Sequence, residues 1–148
     1  MREPGIAGYG LIGNSRAAAL VSRTGSIDWC CLPEFHSPSI FAALLDRNKG
    51  GHFSLAPVEK FESVQAYLPE TNVLVTHHKT AEGEVRLLDA FAAMTEEQKA
   101  ESLFPDHEIL RIVEGISGKV RMKLDYVPRI FYGYHSSVRH GNKAGYHH

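Results

Sequence analysis

The stretch Ala17-Ala18-Ala19-Leu20-Val21-Ser22-Arg23-Thr24-Gly25-Ser26-Ile27-Asp28-Trp29-Cys30-Cys31-Leu32 decides the fold class. Its first six residues are small and apolar. Residues 23–26 carry turn chemistry, and residues 27–32 extend again, which is the pattern of a β-hairpin. Along the second arm, strict alternation sends Ile27, Trp29 and Cys31 to one face and Asp28, Cys30 and Leu32 to the other. Both faces carry apolar groups, so this strand is expected to be covered on both sides. Asp28 is the exception within it, because a carboxylate in an apolar strand needs a hydrogen-bonding or cationic partner.

Working outward, the upstream run Gly8-Tyr9-Gly10-Leu11-Ile12-Gly13 has the spacing of a dinucleotide fingerprint. No buried parallel strand precedes it and no βαβ unit holds it, so it reads as a turn-rich entry. Downstream, the spacing predicts one helix over 38–46. Ser37 suits the N-cap and Pro38 the first helical position, and Ile40, Phe41, Leu44 and Leu45 form an apolar stripe that Gly50-Gly51 ends. Strands follow. Phe53 and Leu55 alternate, and 63–68 extends. Residues 71–80 and 84–91 flank Ala81-Glu82-Gly83, with Gly83 expected at positive φ. Residues 107–114 and 119–127 flank Gly115-Ile116-Ser117-Gly118, a second hairpin. Residues 94–102 read as a surface helical turn limited by Pro105, and 135–148, without periodicity, as a frayed tail. With no repeat and no interior linker, residues 1–148 form a single domain. The class is mainly β: an antiparallel β-sandwich with one short helix.

Composition removes several functions. The net charge is −1 over 148 residues, so no basic excess points to nucleic acid or an anionic membrane. No run approaches the roughly 18–20 apolar residues of a membrane helix. The first residues do not form a secretory signal, and the two cysteines are adjacent, a poor geometry for a bridge, so a reduced, cytoplasmic protein is expected.

Candidate chemistry is sparse. Asp28, Glu34 and Asp89 are the carboxylates of interest, but no spacing pairs them as an acid and a base. Histidine is abundant, at nine copies. Yet His77 and His78 diverge on a strand and no zinc spacing occurs, so the histidines read as mostly solvated and no metal is implied. Cys30 and Cys31 read as small core hydrophobes, and no nucleophile elbow is present. Among the aromatics, Trp29 and Phe131 are expected to pack and Phe35 and Tyr134 to be more exposed. A stand-alone carbohydrate-binding module that stacks sugars on such rings is one reading of this inventory.

A second reading comes from ordered motifs. Leu11-Ile12-Gly13-Asn14, Gly25-Ser26-Ile27-Asp28-Trp29, Cys31-Leu32-Pro33 and Phe35-His36-Ser37-Pro38-Ser39-Ile40-Phe41-Ala42-Ala43-Leu44-Leu45-Asp46 follow one another. Gly50-Gly51-His52-Phe53, Tyr67-Leu68-Pro69, Thr71-Asn72-Val73-Leu74-Val75-Thr76 and Asp89-Ala90-Phe91 come after them. Over residues 6–134 this resembles the start of the bacterial and fungal glucoamylase- and trehalase-like proteins of glycoside hydrolase family 15. The resemblance implies an N-terminal β-sandwich, here an incomplete super-sandwich, preceding a catalytic α/α barrel. In that family two barrel glutamates hydrolyse α-glucosidic bonds with inversion. No residue here corresponds to them, so no catalytic residue is assigned. The implied partners are the barrel and an α-glucoside or oligosaccharide, with no cofactor. Asp28, Trp29, Pro33, Phe35, His36, Ser37 and Pro38 are the candidates for facing barrel or substrate. His36 stands where the family usually has aspartate, which exchanges an acceptor-only carboxylate for an imidazole that can donate as well as accept. An unfinished sandwich is also expected to expose strand edges and to self-associate.

Overall fold

A computed structural model describes residues 5–93, 97, 108–133, 140–142 and 145–147. A short 3-10 turn, Ile6–Gly8, leads into β1 (Tyr9–Gly13), β2 (Ala18–Ser22), β3 (Ser26–Cys31), β4 (Ser39–Phe41), β5 (His52–Pro57) and β6 (Phe61–Tyr67). Then come β7 (Leu74–Thr80), β8 (Gly83–Phe91), β9 (Ile109–Gly118) and β10 (Met122–Val127). A second 3-10 turn, Ile130–Gly133, precedes β11 (His140–Asn142) and β12 (Gly145–His147), whose backbones pair with each other within the tail. The helical turn expected at 94–102 lies outside the described residues, Glu97 apart.

The β-sandwich is built from two antiparallel sheets. One runs β1-β2-β3-β5-β10, with β4 also on β3; the other is a four-stranded meander, β6-β7-β8-β9. The hairpin that decides the class is present: β2 pairs with β3 around a turn at Gly25, where φ is +82°. Its faces differ from strict alternation. Leu20 pairs with Trp29 but Val21 pairs with Ile27, so Asp28 is an extra residue on β3. That bulge puts Ile27 and Cys30 together on the core side, opposite Val21 and Ala19, where the alternating pattern separated them.

The core follows from this register. Ile12, Ala17, Ala19, Val21, Ile27, Cys30, Phe41, Leu74 and Phe91 are buried in one cluster. Tyr126 packs edge-on against both Phe41 and Phe53 around its end, at 5.7 and 5.2 Å between centroids, and the two phenyl rings are tilted against each other.

Four expectations are corrected. Residues 38–46 are not a helix: Ser39–Phe41 is a strand on β3, and turns follow. The amides of Ala42 and Ala43 donate to the carbonyls of Gly50 and Gly51, and Leu44 donates to the Asp28 carbonyl, so cross-chain bonds replace an intrahelical ladder. Leu45, placed on the expected stripe, is 63% exposed. The glycine-rich run 8–13 holds a strand; β1 pairs residue for residue with β2, and the Leu74 side chain occupies the space a Gly10 Cβ would need. Residues 107–127 do not form a hairpin, because β9 pairs with β8 while β10 crosses to β5 in the other sheet. Positive φ falls on Gly118, at +62°, and not on Gly83.

Candidate functional site

Asp28 occupies the bulge of β3 and is fully buried. Its carboxylate accepts from the Tyr9 hydroxyl at 2.8 Å, from the Ser26 hydroxyl and from Arg47 Nη2 at 3.2 Å. Burial raises the free energy of a charge, and two hydroxyls plus a half-exposed guanidinium offset that cost. The bulge re-aims the side chain toward these groups, which come from β1, from β3 itself and from the turn after β4. Trp29, its neighbour, is half-buried.

The loop after β3 begins with a cis Leu32–Pro33 bond. It is held by its own backbone: the Ser37 amide donates to the Glu34 carbonyl at 3.0 Å and the Glu34 amide donates to the Ser37 hydroxyl at 3.1 Å. The Phe35 amide donates to the Arg16 carbonyl at 2.9 Å, anchoring the loop tip to the β1–β2 connection. Pro33, Phe35, His36 and Pro38 are exposed, with Phe35 at 60%. His36 Nε2 lies 3.3 Å from the Glu34 carboxylate. The loop is therefore a fixed platform that presents a phenyl ring beside an imidazole–carboxylate pair. The bonds of the Asp28 carboxylate lead to Tyr9, Ser26 and Arg47, so Asp28 and the loop are two features and not one constellation.

Two polar groups of the interior, Asp89 and His78, have surroundings that the sequence did not reveal. Asp89 is fully buried and bidentate with Arg111, at 2.7 and 3.2 Å. Burial raises the Asp89 carboxyl above its usual range, and Arg111 opposes that rise. His78 is also fully buried, not solvated, and packs edge-on against Phe61 at 4.9 Å. The signal for the first pair was legible in principle: Asp89 falls in phase with Val85, Leu87 and Phe91, and Arg111 with Ile109 and Val113. Opposite charges at inward positions of two strands imply a buried pair.

The cysteines are free, and burial pushes the Cys30 thiol up to about 12 and raises Cys31. Both are thiols at neutral pH, which suits packing and not nucleophilic chemistry. Phe131, expected to pack, is 46% exposed, and Tyr134 lies outside the described residues. No cluster of three or more metal-ligating side chains occurs among the described residues. Their helices include none long and apolar enough to cross a membrane. A shallow cavity of about 640 Å3 is lined by Leu11, Tyr67, Leu68, Pro69, Glu70, Thr71 and Asn72.

Residues 2–144 match the family model described as "Trehalase-like, N-terminal". The chain belongs to the trehalase-like N-terminal family. It is 36% identical over 146 residues to a trehalase of Thermoplasma volcanium, covering 97% of this chain and 23% of that protein. It is 31% identical over 140 residues to a trehalase of Mycobacterium tuberculosis, covering 87% of this chain and 20% of that one. Trehalase 1 of Sulfolobus acidocaldarius is 46% identical over 86 residues, 57% of this chain and 15% of the relative. The chain thus spans less than a quarter of the length of each of these curated relatives. No solved structure matches it. Within this trehalase-like N-terminal domain, the 33–38 loop is exposed and the Asp28 carboxylate network is buried.

Proposed function

We propose that this chain is the non-catalytic N-terminal β-sandwich of a trehalase-type glycosidase of the glucoamylase-like class. It packs on a catalytic α/α barrel and presents the 33–38 loop toward it. The bond cleaved is α-glucosidic, as in trehalose, with inversion at the anomeric carbon and two barrel glutamates as acid and base. One observation carries the reading: a trehalase-like N-terminal match across 2–144, in a chain covering 23% of a trehalase. The geometry supports it, since the fully buried carboxylates Asp28 and Asp89 are both engaged by structural partners.

The test has two arms. The pure chain incubated with trehalose and maltose is expected to release no glucose above the blank. Sustained release that survives Asp28→Asn would overturn the non-catalytic reading. In the second arm the chain replaces the matching segment of the Thermoplasma volcanium trehalase. The chimera is expected to hydrolyse trehalose, and Phe35→Ala in it to lower that activity without lowering the melting temperature. An active chimera indifferent to Phe35 would remove the loop from the proposed interface.

A second reading, a carbohydrate-binding module, is favoured by the cavity beside the half-exposed Tyr67, where Glu70 and Asn72 supply polar groups. NMR titration with trehalose and maltooligosaccharides decides it. Saturable shifts at 67–72 that vanish in Asn72→Ala support it, and an unchanged spectrum dismisses it.

A further inference from the structure

The outer face of the β6-β7-β8-β9 sheet divides into halves of different chemistry. Leu74, Thr76 and His78 on β7 and Val85, Leu87 and Asp89 on β8 are buried between the sheets. Alternation sends the residues between them outward. One outward row runs Glu62, Lys79, Glu84 and Ser117 across the four strands, and the next runs Val64, His77, Arg86 and Glu114. Lys79 pairs with Glu84 and Arg86 with Glu114, as suits a face in water. The third row is apolar on every strand: Ala66, Val75, Leu88 and Ile112. Beyond it Ala90 aligns with Leu110. Ile112 is 53% and Leu110 44% exposed. An antiparallel sheet solvated on one face carries polar groups there, so an apolar band in that position marks an interaction surface.

The band lies at the end of the sandwich where the 33–38 loop is anchored. The Phe35 amide donates to the Arg16 carbonyl, the Asn14 side-chain amide to the Ala92 carbonyl, and the Ala92 amide to the Glu108 carbonyl. These bonds lead from the loop, through the β1–β2 connection, to the ends of β8 and β9 that carry Ala90 and Leu110. The size of the band bears on its occupant. Four strands about 4.8 Å apart and two rows about 7 Å apart span under about 300 Å2. A stable dimer takes about 800 Å2 from each partner, whereas a contact within one polypeptide holds on less, because a tether keeps the effective concentration at about millimolar. The trehalases that the chain matches each have more than three quarters of their length outside the matched part, which supplies a tethered surface.

We propose that this domain docks the remainder of its own polypeptide on the apolar band, with the 33–38 loop at one margin of the contact, an inference that rests on the domain's place in a trehalase-type glycosidase. The counterpart is an apolar surface, because a charge set against Leu88 and Ile112 would be desolvated without a partner. The rows of ion pairs on β7, β8 and β9 stay in water.

Thiol labelling tests this in two proteins, the chain alone and the chimera in which it replaces the matching segment of the Thermoplasma volcanium trehalase. Cys30 and Cys31 are buried, so Ile112→Cys and Val64→Cys each add an accessible thiol, and peptide mass spectrometry reads each site. In the chain alone both are expected to react with a maleimide at similar rates. In the chimera Ile112→Cys is expected to react roughly tenfold or more slowly than in the chain, and Val64→Cys at an unchanged rate. Leu110→Cys, a second position in the band, is expected to follow Ile112→Cys, and circular dichroism confirms that each variant folds. Equal rates for both band positions in the chain and in a chimera that hydrolyses trehalose overturn the proposal and leave the trehalase reading standing. A folded chimera without trehalose hydrolysis removes that reading and the proposal with it. Slow labelling of Ile112→Cys in the chain alone, relieved by dilution, gives the band to a second copy and overturns the proposal too.

Discussion

His78 carries a fully buried imidazole, and neither ring nitrogen finds a hydrogen-bond partner among the described residues. Burial, with the charges of His77 and Arg111, lowers its pKa from 6.5 to about 4. The unfolded chain then takes up a proton near pH 6.5 while the folded chain stays neutral until about pH 4. Stability is unaffected by this group above that window, falls as pH drops through it, and levels off below. The loss is on the order of 3 kcal/mol. Asp89 acts in the opposite sense nearer its ordinary carboxylate range, because its raised pKa lets the folded form hold the proton more tightly. Urea unfolding between pH 7 and pH 4 should show a decline that His78→Leu flattens; an equal slope in the variant would assign the decline elsewhere. Asp28 belongs to the same scale but a different mechanism. Asp28→Ala removes the buried acceptor of the Tyr9 and Ser26 hydroxyls and of Arg47 and leaves a gap in its place, and is expected to cost about 2–4 kcal/mol. Asp28→Asn, which keeps a hydrogen-bonding head, should cost less. Equal losses would mean that the negative charge, and not the hydrogen bonds, holds the bulge.

Where β8 meets β9, backbone geometry decides the connection. Gly118 sits at φ +62°, and a Cβ there would overlap the Glu82 carbonyl. Gly118→Ala is expected to cost about 1–3 kcal/mol. Gly115→Ala on the same strand, where a Cβ meets nothing within 4 Å, is expected to be near neutral. Thermal melts of the two variants compare them directly, and equal melting temperatures would remove Gly118 from the list of constraints. This pairing also marks what local sequence could not reveal. The hairpins β2–β3 and β7–β8 were legible because turn chemistry separates two extended runs that pair with each other. Residues 115–118 carry the same chemistry, yet β9 returns to β8 and β10 pairs with β5, a choice made by non-local packing. Residues 39–45 show the other failure. A short apolar run fits a helical stripe or a strand equally well, and the Phe41–Phe53–Tyr126 ring cluster selected the strand. At the candidate site the need of Asp28 for partners was readable from its apolar neighbours. Their identity was not, since Tyr9 and Arg47 each lie 19 residues away and the bulge that aims the carboxylate at them leaves no local mark.

The molecule coheres because one side chain on β9 reaches across both sheets. Arg111 is 3% exposed, holds Asp89 within its own sheet, and donates to the Phe53 carbonyl at 2.7 Å and the Gly25 carbonyl at 2.8 Å in the other. Its guanidinium also lies 4.7 Å from the Phe53 ring centroid. Gln65 and Asn14 add weaker cross-sheet bonds, to Val21, Ser22 and Ala92 carbonyls. Arg111→Met leaves Asp89 buried without its cation, so a loss of about 3–5 kcal/mol is expected. Asp89→Leu with Arg111→Met removes both charges and should recover much of that loss, as apolar replacement of a buried pair commonly does. It should not recover all of it. The Phe53 carbonyl loses the donor that joined the sheets and the Gly25 carbonyl keeps its bond from the Leu55 amide, at about 1–3 kcal/mol for the two together. Chemical unfolding of the two variants therefore separates the ion pair from the strut. A double variant as stable as the native chain would reduce Arg111 to a counter-ion for Asp89. A persistent deficit, with amide exchange faster at Phe53 and around Gly25 than at the β7–β8 hairpin, would identify the cross-sheet bonds as what makes two sheets unfold as one body.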